Sequence, residues 1–160
     1  MRAADALAVQ LAHTVRADGR WRVFLFASAH HPADKNSPVW QLCDYLSSHP
    51  KSPMKSYQRD GDDPDALIDL RVVFQQGHTE FNSGDAHPLL MPVKGVLGLR
   101  DYEKIFCAKH RTMKGIFEKR GISRQGCIIV VRPDQYISDV MPLHSYDRLS
   151  NFFSRILIAP

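Results

Sequence analysis

The sequence predicts an α/β domain with a mixed central sheet flanked by helices, and three observations carry that prediction. The first is Cys127-Ile128-Ile129-Val130-Val131, an unbroken, mostly β-branched apolar run that suits a central strand buried on both faces. The second is a succession of strand, helix and strand between Arg20 and Phe74, which a right-handed crossover turns into a parallel βαβ unit. The third is a change of period at Tyr146, after which Tyr146, Leu149, Phe152, Phe153, Ile156 and Leu157 share one helical stripe. A ββα unit therefore closes the domain.

Taken in order, residues 5–16 fit a helix by their alanine content and a strand by the alternation of Val9, Leu11 and Val15. The Asp18-Gly19 pair favours the strand, because Asp-Gly between apolar runs is a hairpin signal; residues 9–15 are expected to pair with Trp21–Phe26. A polar loop with His30, His31 and Asp34 ends at Ser37-Pro38, an N-cap followed by proline at the first helical position. Val39, Leu42, Cys43 and Leu46 then recur at helical spacing until His49-Pro50 stops the helix. Residues 51–65 read as a polar connection, and residues 67–74 as the next strand. Residues 75–106 are long for a connection in a compact domain, a length that usually signals function or an interface. A helix is expected over residues 110–120, with Met113, Ile116 and Phe117 on one side and Gly121 as its left-handed stop. After the strand at residues 127–131, Arg132-Pro133-Asp134-Gln135 reverses the chain. A more polar strand over residues 136–141 lies nearer an edge, Pro142 closes it, and Ser145 and Asp147 open the last helix. Strand, helix, strand, helix, strand, strand, helix is the thioredoxin order.

The run from Arg132 to Leu143, with Gly126-Cys127 before it, Asp101-Tyr102-Glu103-Lys104-Ile105-Phe106-Cys107 upstream and Ala17-Asp18-Gly19-Arg20-Trp21-Arg22 near the start, resembles the C-terminal domain of phenol hydroxylase-like flavoprotein monooxygenases. The resemblance covers roughly residues 3–158. It implies a thioredoxin-like fold and a role in dimerisation or subunit contact within an FAD-dependent aromatic hydroxylase. The family's large flavin-binding region, with its GxGxxG loop, has no counterpart in residues 1–160, which read as one thioredoxin-like domain.

Composition bounds the function. With 44% apolar and 24% charged residues, the chain supports one well-packed core. Its longest apolar runs fall far short of the roughly 20 residues of a membrane helix, and no basic-then-apolar signal opens it, so a cytoplasmic protein without membrane contact is expected. The net charge of +4 is spread among acids, so no nucleic-acid footprint is expected; Lys109, His110, Arg111, Lys114, Lys119 and Arg120 read as a solvated helix face. Cys43, Cys107 and Cys127 read as reduced packing residues.

Chemistry finds little purchase. A thioredoxin needs Cys-x-x-Cys at the N-terminus of its first helix, whereas residues 29–38 contain no cysteine and Cys43 lies on the helix's apolar side, so the domain reads as redox-inactive. Arg124-Gln125-Gly126 stands where that fold uses a cis-proline. His30, His31 and Asp34, Cys107 with His110, and His78 with Glu80 lack the spaced ligand pairs of a structural zinc site. No Gly-x-Ser-x-Gly elbow marks a nucleophile, and no GxGxxG follows a strand, so no catalytic, cofactor-binding or metal residue is assigned. FAD would belong to the full-length family rather than to this chain.

Three functions remain. The leading one is a non-catalytic assembly domain, self-associating or contacting a flavoprotein monooxygenase. The second is a piece of such a monooxygenase, and the third a free-standing isomerase or cyclase with a pocket between residues 75–106 and the sheet. For assembly the sequence offers Leu89, Leu90, Met91, Val93, Val96, Leu97 and Leu99, seven apolar side chains in eleven positions without a period that would bury them on one face. The competing reading folds the same segment back over the sheet as a lid.

Overall fold

The computed structural model describes residues 1–59, 61–108 and 115–158. Its central sheet contains β1 (Trp21–Phe26), β2 (Ile68–Phe74), β5 (Ile105–Cys107), β6 (Cys127–Val131) and β7 (Ile137–Met141), in the order β5-β2-β1-β6-β7. The β1–β2 and β2–β5 pairs are parallel, while β1–β6 and β6–β7 are antiparallel. The sheet is mixed, with helices packed on it, and is consistent with a thioredoxin-like fold. A separate two-stranded hairpin joins β3 (Val93–Lys94) to β4 (Leu99–Arg100).

The crossover between β1 and β2 holds α1 (Pro38–Ser48) and the short α2 (Pro53–Ser56). Ser37 caps α1 by accepting the Trp40 N–H at 3.2 Å, and Pro38 occupies the first turn, where its missing donor costs nothing. Val39, Leu42, Cys43 and Leu46 are buried as their spacing requires. They meet Val23, Leu25, Leu70, Val72, Ile128, Val130 and Met141 from one sheet face, together with Leu149 and Phe153 of α4 (Tyr146–Ser154). The Tyr45 and Ser150 hydroxyls, 2.7 Å apart, tie α1 to α4, and Trp21 meets Phe152 and Phe153 edge-on. The other face carries a smaller core of Phe24, Phe26, Val73, Phe106 and Val131 around Phe117 of α3 (Ile116–Arg120). Gly121 ends α3 at φ 62°, the left-handed stop expected of it. Met113 and the rest of residues 109–114 lie outside the described residues.

The N-terminal hairpin does not form. Residues 9–15 are not a strand: Leu11–Thr14 is a 3-10 turn, and Val9, Leu11 and Val15 pack on the second face of the sheet. The reason is ladder occupancy, because β1 already pairs with β2 on one side and β6 on the other. Asp18-Gly19 is still a bend, with Gly19 at φ 82° and Asp18 Oδ1 accepting the Arg20 N–H at 3.2 Å. Ile105 and Phe106, read as the end of the 75–106 connection, form with Cys107 the short edge strand β5. The chain's own start covers its outer edge: Cys107 N–H donates to Met1 O at 2.7 Å, Ala3 N–H to Ile105 O at 2.8 Å, and Arg2 bridges Phe106 antiparallel. Where β6 begins, a Cβ on Gly126 would stand 2.3 Å from the Phe26 carbonyl oxygen, so only glycine fits this crossing.

Candidate functional site

The seven apolar residues of the predicted interface divide into two groups. Leu90 and Met91 are buried in the main core, with Leu89 half-buried against it. Their 3-10 turn, Pro88–Leu90, is fixed by His87, whose Nδ1 accepts the Leu89 N–H at 3.1 Å while Nε2 lies 3.1 Å from Asp44. Leu90 and Met91 are therefore corrected from interface to core: the absence of a period allowed a tight turn to drive two consecutive side chains inward. Val93, Val96, Leu97 and Leu99 lie on the hairpin and are 50%, 105%, 83% and 66% exposed. Gly95 and Gly98, at φ 66° and 62°, turn the chain so that Val96 and Leu97 form its tip. The Gly98 N–H closes that turn on Gly95 O at 3.1 Å.

The hairpin is anchored at its root by charge. Lys94 pairs with Asp65 and, at 2.9 Å, with Asp101, whose own N–H donates to Pro92 O at 2.9 Å. Burial works to lower the Lys94 pKa, but the two carboxylates outweigh it and hold the value above the ordinary lysine range. Asp65 also pairs with Lys104, which is 1% exposed and reaches Asp69 at 3.0 Å. Burial likewise acts to raise Asp69 and Asp101, yet neighbouring cations, Lys104 and Arg71 for the first and Lys94 for the second, hold both below the usual carboxylate range. A rigid ionic base thus carries an exposed apolar tip.

A second exposed apolar strip runs along β7 and the residue before it, where Tyr136, Ile137 and Val140 are 72%, 64% and 50% exposed. A register shift brings Ile137 opposite Val131 and Val140 opposite Ile129, so both belong to the smaller-core face. Sequence reasoning passed over this strip because a shift in register hides which side chains share a face; the exposed β-branched pair was its one signal.

The residues weighed for chemistry are held separately. His30 Nδ1 contacts Ser28 Oγ at 2.9 Å, while His31 Nε2 lies 3.3 Å from Glu80 O. Among the described residues no three His, Cys, Asp or Glu side chains converge as a metal set, and His110 lies outside them. Burial raises the thiol pKa of Cys43 and Cys127 and pushes that of Cys107 up to about 11. All three cysteines are free. Among the described residues no helix is long and apolar enough to cross a membrane.

The family model described as phenol hydroxylase, C-terminal dimerisation domain, matches residues 1–160. The chain belongs to that family. It is 42% identical over 161 residues to 3-hydroxybenzoate 4-monooxygenase of Comamonas testosteroni, covering 99% of this chain and 25% of that protein. Identity is 29% to an FAD-dependent monooxygenase of Aspergillus terreus, over 98% of this chain and 26% of the relative. It is 24% to a phenol 2-monooxygenase of Aspergillus fumigatus, over 98% and 25%. The chain spans about a quarter of the length of these curated relatives.

Proposed function

We propose that this domain joins two copies of its own chain, and that the β3–β4 hairpin is the contact. The carrying observation is the exposure of Val93, Val96, Leu97 and Leu99 on a tip whose root is fixed by Lys94, Asp65 and Asp101. Full burial of one such side chain stabilises by about 1.5–3 kcal/mol, so three or four across a twofold axis offset a substantial part of the cost of association. Rigidity helps, because an anchored hairpin loses little freedom on docking.

The domain's larger context follows from its relatives, and we read it as the assembly module of an FAD-dependent aromatic hydroxylase. The residues here do not fit FAD: the β1–α1 turn has no glycine-rich cradle, and Ser37 already accepts the Trp40 N–H at the start of α1, where Pro38 has no donor. The flavin and the hydroxylation belong to other parts of such a protein. Purified domain is therefore expected to lack a flavin absorbance band, and a retained yellow cofactor refutes this division of labour.

The contact is tested by the double variant Val96→Asp, Leu97→Asp in sedimentation and light scattering. Dimers of the parent and monomers of the variant, with an unchanged melting temperature at low concentration, are the expected result. A variant that still dimerises places the contact elsewhere.

A further inference from the structure

A cleft lies beneath residues 7–16, where this segment crosses the sheet; its volume is about 680 Å³. That is within the range of small-molecule sites. Its lining contains Arg2, Arg16, Arg20, Arg22, Arg71 and Lys94 against Asp18, Asp69 and Glu103, six cations to three acids. Most of these charges are internally matched. Arg2 pairs with Asp5 and Glu103, and Lys94 with Asp65 and Asp101. Arg22, buried on the floor, is turned inward: Nη1 donates to Arg20 O at 2.7 Å, Nη2 to Arg16 O at 3.1 Å and Asp18 Oδ1 at 2.7 Å, and Nε lies 3.0 Å from Asp69 in an ion pair without hydrogen-bond geometry.

Three guanidiniums are not used up. Arg16 is exposed and, among the described residues, enters no ion pair. Among the described residues the Arg20 side chain meets Asp18 alone, at 3.6 Å through Nε. Arg71 commits Nε to Asp69 at 2.9 Å and Nη1 to the Thr14 hydroxyl at 3.1 Å, which leaves Nη2. Each guanidinium is a fixed fork of donors suited to bidentate contact with an oxyanion. Arg22 also fixes the backbone from which two of these forks extend, since it holds the carbonyls of Arg16 and Arg20, and such preorganisation lowers the cost of binding.

We propose that this cleft binds a small polyanion carrying two or more phosphate or carboxylate groups. Three separated arginines ask for more than one oxyanion, and the volume admits a ligand larger than a single phosphate ion. The three arginines lie outside β3 and β4, while Lys94 of β3, which also lines the cleft, is committed to Asp65 and Asp101.

The test is calorimetric titration of the 160-residue chain with inorganic pyrophosphate and, separately, with citrate at low ionic strength, repeated on Arg16→Gln, Arg20→Gln. These two side chains reach solvent, so the double variant is expected to melt with the parent. Saturable binding of either anion, weakened at least about tenfold in the variant, supports the proposal, and the preferred probe distinguishes a phosphate from a carboxylate ligand. Absence of saturable heat with both anions, or equal affinity in the folded variant, overturns it. Should the variant melt lower than the parent, Arg16→Lys, Arg20→Lys supplies the second measurement: restored folding with weakened binding supports the site, and restored folding with parental affinity overturns it.

Discussion

Residues 88–91 and 93–99 are neighbours of similar apolar content with opposite fates. In the first stretch, Leu90 and Met91 are packed against the sheet; in the second, Val96 and Leu97 stand in solvent. Hydrophobicity does not separate them, since leucine occurs in both. Backbone does: the 3-10 turn at Pro88–Leu90, locked by His87, points side chains inward, whereas Gly95 and Gly98 permit a hairpin that leaves the core. One apolar segment thereby both anchors the fold and carries an exposed apolar tip.

The comparison breaks most severely at the shared base. Lys104→Met leaves Asp65 and Asp69 buried without their main cation, and a loss of about 3–5 kcal/mol is expected in chemical denaturation. Next comes the core half: Leu90→Ala should cost about 2–5 kcal/mol through lost burial and a residual cavity, with the association constant of the folded fraction unchanged. Acid sharpens the contrast further. Because the folded pKa values of Asp69 and Asp101 are depressed, their stabilisation is present above the unfolded value near 3.9 and is lost as pH falls through the folded ones. Melting temperature should therefore fall below about pH 4, and Asp101→Asn should remove part of that dependence. Lys94 acts in the opposite sense: its raised folded pKa gives stabilisation present below its unfolded value near 10.4 and lost as pH rises through the folded one. The smallest stability effect belongs to the hairpin tip, where Val96→Asp, Leu97→Asp should change folding by less than about 0.5 kcal/mol while abolishing dimers.

Much of this architecture is legible in residue spacing. Ser37-Pro38, the buried stripe of Val39, Leu42, Cys43 and Leu46, the parallel β1–β2 pair and the β6–β7 hairpin all follow from local rules that tertiary context reinforces. The N-terminal strand was misread because Asp18-Gly19 reports a bend without reporting whether a free ladder awaits the preceding residues. Three-residue β5 carries too short a pattern to recognise, and its pairing with β2 is set by the sheet rather than by its own sequence. The candidate surface was half legible for a related reason. Composition shows that residues 89–99 are apolar, but only backbone geometry decides which of them face inward. The arginine cleft was invisible because Arg16 and Arg71 are far apart in sequence and meet only when residues 7–16 cross β2.

The covering of β5 by residues 1–3 has a consequence for solubility. An unpaired strand edge is a template on which other chains can grow, and here residues 1–3 of the same chain occupy it. The first three residues thus act as a guard rail. Deleting them would leave the ladder of Ile105–Cys107 open while barely touching the main core, so the truncated chain should keep its helices and yet seed intermolecular sheets.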